Sequence, residues 1–185
     1  MVLCPSMFVR VNSAWLKYAI GLGLVFAFRL LPFRPPNVEP MLAVMMPFST
    51  RFGSFGAFLF GFLGIVLYDA ATSGWGSWTW VTALAYGALG IGAYYYFSYK
   101  APSRLNFVIF GVVGTLAYDA VTMFIRPLFF AQPLAVAIAG QIPFTLLHLA
   151  GAVLFATVLS PIVQKWVVEN ESLEHALFPA VGMRK

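Results

Sequence analysis

The sequence predicts an all-α integral membrane protein, a compact bundle of about six transmembrane helices with both termini in the cytoplasm. Three observations lead there. The chain is 61% hydrophobic and 9% charged over 185 residues, with a mean hydropathy of +0.87. A soluble domain is about half apolar and about a quarter charged. The apolar residues fall in runs close to the length that crosses a bilayer, about 20 residues each, and six such runs use most of the chain. The Lys and Arg residues lie mainly between those runs, so the net charge of +5 reflects membrane orientation rather than nucleic-acid binding.

The first span covers residues 14–31. It lacks a small-residue cleavage site after its apolar run, so it reads as a membrane helix rather than a signal peptide. Lys17 and Arg29 near its ends are expected to snorkel to the interface. Three prolines in the loop 32–37 stop that helix. The second span, 38–50, is short and apolar, with Asn37 as candidate N-cap and Pro40 in its first turn. At about 1.5 Å per residue it barely crosses the hydrocarbon, so its neighbours are expected to shield it. The third span is 52–72. After a Gly- and Trp-containing loop, 73–78, the fourth is 79–99, ending in the aromatic stretch Tyr94-Tyr95-Tyr96-Phe97. The fifth is 105–125. From Pro127 to Gln164 no Asp, Glu, Lys or Arg occurs, which is too long for one ordinary span. The reading divides it into an apolar connecting segment, 128–140, and a sixth span, 143–168. A polar, loosely ordered tail follows from 169. The chain is thus one transmembrane domain, 1–185, with a cytoplasmic N-terminus (1–13), a helix bundle (14–168) and a cytoplasmic tail (169–185).

Six spans place both termini on one side. That side holds Arg10, Lys17, Arg51, Lys100, Arg104, Lys165, Arg184 and Lys185, eight cations against three (Arg29, Arg34 and Arg126) on the other. Eight against three makes the termini cytoplasmic.

A thirteen-residue segment occurs twice, fifty positions apart. Residues 60–72 and 110–122 share Phe, two Gly, Tyr, Asp, Ala and Thr, seven identities in all. Each copy carries a carboxylate, Asp69 or Asp119, near the outer end of an apolar run, where an ionisable group is costly and marks a functional site by default. Glu39, Arg34, Arg126, Trp75, Trp78 and Trp80 fall at the same outer level, and Gln132 and Gln141 lie near it. The acids either pair with Arg29, Arg34 or Arg126 to hold helices together, or contact a ligand. Tyr68 and Tyr118 are core residues or pocket walls. The tryptophans are interfacial anchors or a ligand stack. His148, without another His or Cys at ligand spacing, is a hydrogen-bonded core residue sooner than a metal ligand.

Small residues recur four apart: Ala19, Gly23 and Ala27 on span 1; Gly53, Ala57 and Gly61 on span 3; Ala83 with Gly87 and Ala88 with Gly92 on span 4. Such faces let helix backbones approach closely. For span 1, contact with another protein rivals internal packing. No Gly-Lys-Ser or Gly-Lys-Thr occurs, so nothing here binds ATP through a phosphate loop. No catalytic set is evident, no cofactor is expected, and the lone Cys4 allows no internal disulfide.

The stretch 31–40, Leu-Pro-Phe-Arg-Pro-Pro-Asn-Val-Glu-Pro, the Phe-Gly-Phe-Leu-Gly…Tyr-Asp repeat, and Gln141-Ile142-Pro143-Phe144-Thr145…His148 together resemble the substrate-binding S components of energy-coupling factor (ECF) transporters. The resemblance covers residues 12–168. It implies a subunit of the cell membrane that captures a small organic, vitamin-like compound near the outer surface. That subunit then docks on a transmembrane T subunit driven by two ATPases. Docking in the family uses an Ala-x-x-x-Ala face on the first helix, matched here by Ala19, Gly23 and Ala27. Metal-importing relatives use an N-terminal histidine, which this chain lacks, so nickel and cobalt are not expected cargo. The substrate-binding residues expected are Asp69, Asp119, Tyr68, Tyr118, Arg34, Asn37, Glu39, Arg126, Trp78, Gln141 and His148. Two other readings stand beside it: a small proton-coupled carrier using Asp69 and Asp119, and a non-transporting membrane scaffold.

Overall fold

The computed structural model describes residues 5–175, and within them only helices occur. The helices are α1 (Pro5–Arg29), α2 (Met41–Ala71), α3 (Ser77–Tyr99), α4 (Arg104–Phe130), α5 (Leu134–Val163) and a short α6 (Ser172–His175), with a π turn, Gln164–Val168, continuing α5. Among the described residues, α2, α4 and α5 with its π turn are long and apolar enough to cross a membrane. The expectations for Cys4 and for the tail beyond 175 fall outside the described residues.

The second element is not a straight rod. Gly53 has φ 72° and ψ 177°, a backbone conformation open to glycine and strained for other residues. It breaks α2 into arms 41–52 and 54–71. On a continuous helix Met41 and Gly64 would be roughly 35 Å apart at about 1.5 Å per residue. Instead the Met41 side chain lies against Gly64 and Met45 against Gly61, while the Phe48 and Phe60 rings stack at 4.6 Å. Pairs that close inward as their numbers converge mean that the arms fold back antiparallel. Gly53 therefore belongs to a turn, and the small-residue stripe expected at Gly53, Ala57 and Gly61 begins only at Ala57.

The first arm is buried on every side. Met41, Val44, Met45, Met46 and Phe48 are inaccessible, and Ser49 donates back to the Met46 carbonyl at 2.7 Å. Pro47 within it has no N–H, which leaves the carbonyl of Ala43 without its i+4 donor. Ser160 of α5 supplies the missing bond, its Oγ donating to Ala43 O at 2.7 Å. Neighbouring helices commonly satisfy groups that a proline frees in an apolar interior.

Glycines set the helix contacts. A Cβ at Gly61 would strike the Tyr86 carbonyl of α3, and one at Gly90 the Ala57 carbonyl of α2, so these two helices meet backbone to backbone. In the second copy of the repeat, Gly111 faces Ala156 of α5 and Gly114 faces Leu42.

Several boundaries differ from expectation. Asn37 does not cap α2; Pro40 occupies that place without a side-chain cap, and Asn37 lies in the left-handed region at φ 63°. The segment 128–140 is not a separate connection. The fourth helix runs one turn past Pro127 and ends at a left-handed Ala131, and α5 begins at Leu134. Proline removes only one bond, and an apolar surrounding favours continuing the helix over exposing backbone.

Lys17 does not snorkel. It is 1% exposed, and its Nζ donates to Val168 O at 2.8 Å, where Arg51 Nη1 also donates at 3.1 Å. Two cations on the last carbonyls of a long helix suit the negative end of its dipole. They tie α1 and the break in α2 to the end of α5. Because α1 starts at Pro5, Lys17 is well inside the helix rather than at its edge.

Candidate functional site

At the end of the bundle away from Lys17, a cavity of about 640 Å³ opens between the segment 30–39 and helices α1 to α5. That volume is ordinary for a small-molecule site, about 300–1,000 Å³. The loop reaches it because α5 yields: a Cβ at Gly151 would sit 3.1 Å from Val38 Cα, so glycine there admits the loop backbone. The left-handed Asn37 lines the cavity, and backbone strain of this kind clusters at ligand sites.

Eight of the eleven expected substrate residues line it: Arg34, Asn37, Glu39, Tyr68, Asp69, Trp78, Tyr118 and His148. The three others do not. Asp119 lies behind the wall, 2% exposed, bonded to His148 Nδ1 at 2.8 Å. Arg126 and Gln141 line a separate pocket of about 220 Å³, divided from the cavity by Phe144, which borders both. The duplicated Tyr-Asp pairs are thus not equivalent in space: Asp69 belongs to the wall, and Asp119 supports it. Neither acid pairs with an arginine among the described residues; Asp119 pairs with His148.

Four lining residues carry signals that sequence reasoning did not use for the site. Arg29 was expected at the lipid interface but turns inward, with 12% of its side chain exposed. Its Nε forms an ion pair with Glu39 Oε2 at 3.4 Å, and its guanidinium lies over the Tyr68 ring at 4.1 Å. Its Nη1 is buried without a hydrogen-bond partner among the described residues. A buried charged donor left unmade is costly, so a ligand acceptor is the natural complement. Tyr86 donates to Glu39 Oε1 at 2.8 Å and packs against Tyr118 at 4.7 Å. Thr82 and Phe144 complete the wall. Tyr86 and Thr82 fall in a plain apolar run of α3, where nothing in the local pattern separates a pocket residue from a core one.

The backbone is tied down as well. Tyr68 Oη donates to Arg29 O at 3.2 Å, and Arg34 Nε to the same carbonyl at 3.1 Å. The cavity therefore offers cationic donors (Arg29, Arg34), carboxylate acceptors (Glu39, Asp69) and several aromatic faces. Trp78 is held edge-on by Phe130 at 5.5 Å. Trp75 and Trp80 are largely exposed, as interfacial anchors are. Such a mixture suits a planar molecule with both donor and acceptor groups on its edge.

Ala19, Gly23 and Ala27 all face outward from α1, and nothing approaches an added Cβ at Gly23 within 4 Å. Packing among the described residues does not use this stripe.

The family model for the ECF-type riboflavin transporter, S component, matches residues 16–165. A UPF0397 protein from Vibrio atlanticus (strain LGP32) is 28% identical over 125 residues, 61% of this chain. The match spans 66% of that relative, a little under two thirds of its length. No solved structure matches.

Proposed function

The chain belongs to the ECF-type riboflavin transporter S component family, and from that premise we propose that it is the substrate-capture subunit of an ATP-driven importer. Its cargo is a planar, vitamin-like heterocycle held in the 640 Å³ cavity, and riboflavin is the first compound to test. The observation that carries this reading is the buried Arg29 guanidinium. Its Nε and Nη1 are buried without a hydrogen bond among the described residues, and it stands beside Glu39, Tyr68 and the aromatic walls. Asp69 and Arg34 meet the polar edge of the ligand, and Trp78, Tyr118 and Phe144 cover its faces.

Six crossings follow when the two arms of α2 each count as one. The bias of eight cations against three then puts both termini in the cytoplasm and the cavity at the outer face of the cell membrane. Residues 14–168 form the single bundle domain. Members of this family are transport subunits rather than enzymes, and the energy comes from partners. The exposed Ala19, Gly23 and Ala27 face docks on a transmembrane T subunit carrying two ATPases, through close backbone contact.

The test is titration of the detergent-purified chain with riboflavin, followed by quenching of flavin fluorescence. A parallel pull-down from native membranes is read by protein and small-molecule mass spectrometry. Saturable binding and recovery of a T subunit with two ATPases support the reading. A folded chain that binds no flavin and recovers alone refutes it.

A further inference from the structure

We propose that Asp119 is a positioning residue for the substrate site. It accepts the Nδ1–H of His148 and so fixes the imidazole in the tautomer that presents the Nε2 lone pair to the cavity. That wall then selects ligands with an N–H or O–H donor. This inference rests on the capture function proposed above and names the chemistry its ligand must bring.

The geometry isolates one nitrogen. His148 lines the cavity while Asp119 does not, and the 2.8 Å contact consumes Nδ1. Tyr118 and Phe144 meet the imidazole edge-on at 5.6 and 5.8 Å, with interplanar angles of 88° and 87°. A ring held between two perpendicular neighbours and a carboxylate has one orientation, and the polar atom it has left is Nε2. A carboxylate on one imidazole nitrogen sets what the other nitrogen does.

Helix packing alone does not account for an acid here. Asp119 Oδ2 is buried with no hydrogen-bond partner among the described residues. A hydroxyl would join α4 to α5 without burying a charge, which is costly. The matched copy of the motif is an internal contrast. Asp69 lines the cavity itself, whereas His148 stands between Asp119 and the space. The other ionisable groups lining the cavity with His148 are Arg29, Arg34, Glu39, Tyr68, Asp69, Tyr86 and Tyr118. Arginine donors together with acceptors including His148 Nε2 fit a ring that carries carbonyl oxygens next to an N–H.

The experiment uses the full chain labelled with ¹⁵N in the histidine rings. There are two histidines, and His148→Gln assigns the signals. In the ligand-free protein the expected spectrum has Nδ1–H and a bare Nε2, and an imidazolium protonated on both nitrogens overturns the acceptor assignment. In Asp119→Asn, whose amide accepts or donates, that preference is lost. Binding is then compared for riboflavin and its N3-methyl analogue, which lacks the ring N–H. Wild type is expected to favour riboflavin about tenfold, a single hydrogen bond's worth, and Asp119→Asn and His148→Gln to abolish most of that preference. An Nε2–H tautomer in wild type, or a spectrum unchanged by Asp119→Asn, overturns the positioning role. The expected spectrum with no riboflavin binding refutes the substrate reading while the tautomer assignment stands.

Discussion

Replacing Ser160 by Ala removes one hydroxyl, and the structure sets what that costs. The partner is the carbonyl of Ala43, which Pro47 has already deprived of its helical donor. Both Ser160 and Ala43 are buried in an apolar setting. The change therefore strands a carbonyl rather than merely trimming a side chain. An unsatisfied buried group costs about 1–3 kcal/mol. Hydrogen bonds between membrane helices average about 0.6 kcal/mol and reach about 1.7. The carbonyl has no alternative helical donor, so the upper part of the membrane range applies, about 1.5 kcal/mol. For a chain of this size that lowers Tm by about 3–6 °C. The assay is thermal unfolding in a fixed detergent by tryptophan fluorescence. The decisive variant is Ser160→Ala combined with Pro47→Ala, which restores an N–H four residues after Ala43. If the bond compensates for the proline, the double variant recovers most of the loss. A double variant no better than the sum of the two single changes refutes the reasoning.

Gly23→Leu should leave riboflavin affinity and Tm unchanged, because nothing lies within 4 Å of the new Cβ, while abolishing recovery of the T subunit in a pull-down. Normal recovery would remove the stripe from the docking surface. Gly61→Ala should instead lower Tm, by an amount corresponding to about 1–3 kcal/mol of overpacking, since its Cβ meets the backbone of Tyr86 rather than a yielding side chain. An unchanged Tm would mean that α2 and α3 separate readily. Asp69→Asn should weaken riboflavin binding about tenfold in the same titration, with Tm unaltered. Equal affinity would remove Asp69 from the site. Lys17→Met should lower Tm more at low than at high Arg51 occupancy of Val168 O; in practice, Lys17→Met with Arg51→Gln should cost more than the sum of the single changes. Strict additivity would show that the two cations act separately.

Much of this was legible in the linear sequence. The apolar runs and their polar breaks located the helices because a chain in lipid has to satisfy its backbone internally, which leaves few alternatives to helix. The buried short arm was readable from its length, too short to face lipid alone. The repeat pointed at the cavity, and eight of the eleven expected substrate residues reached its wall. What failed were inferences from position along the chain to direction in space. Lys17 and Arg29 both read as interfacial, yet both turn inward, because each finds a partner from a distant element: the Val168 carbonyl for one, Glu39 for the other.

Composition and periodicity by themselves determined that the chain is a helical membrane protein. They also nominated Asp69 and Asp119 as a pair. Only the tertiary structure decided that the pair is unequal. Two identical Tyr-Asp motifs sit on helices with different neighbours: α2 leaves Asp69 open to the cavity, and α5 brings His148 across Asp119. A side chain's role depends on what the opposite helix places within about 3 Å of it, the range of a hydrogen bond. That distance is set by packing between elements, such as the loop admitted at Gly151 and the turn made at Gly53, and no local pattern encodes it.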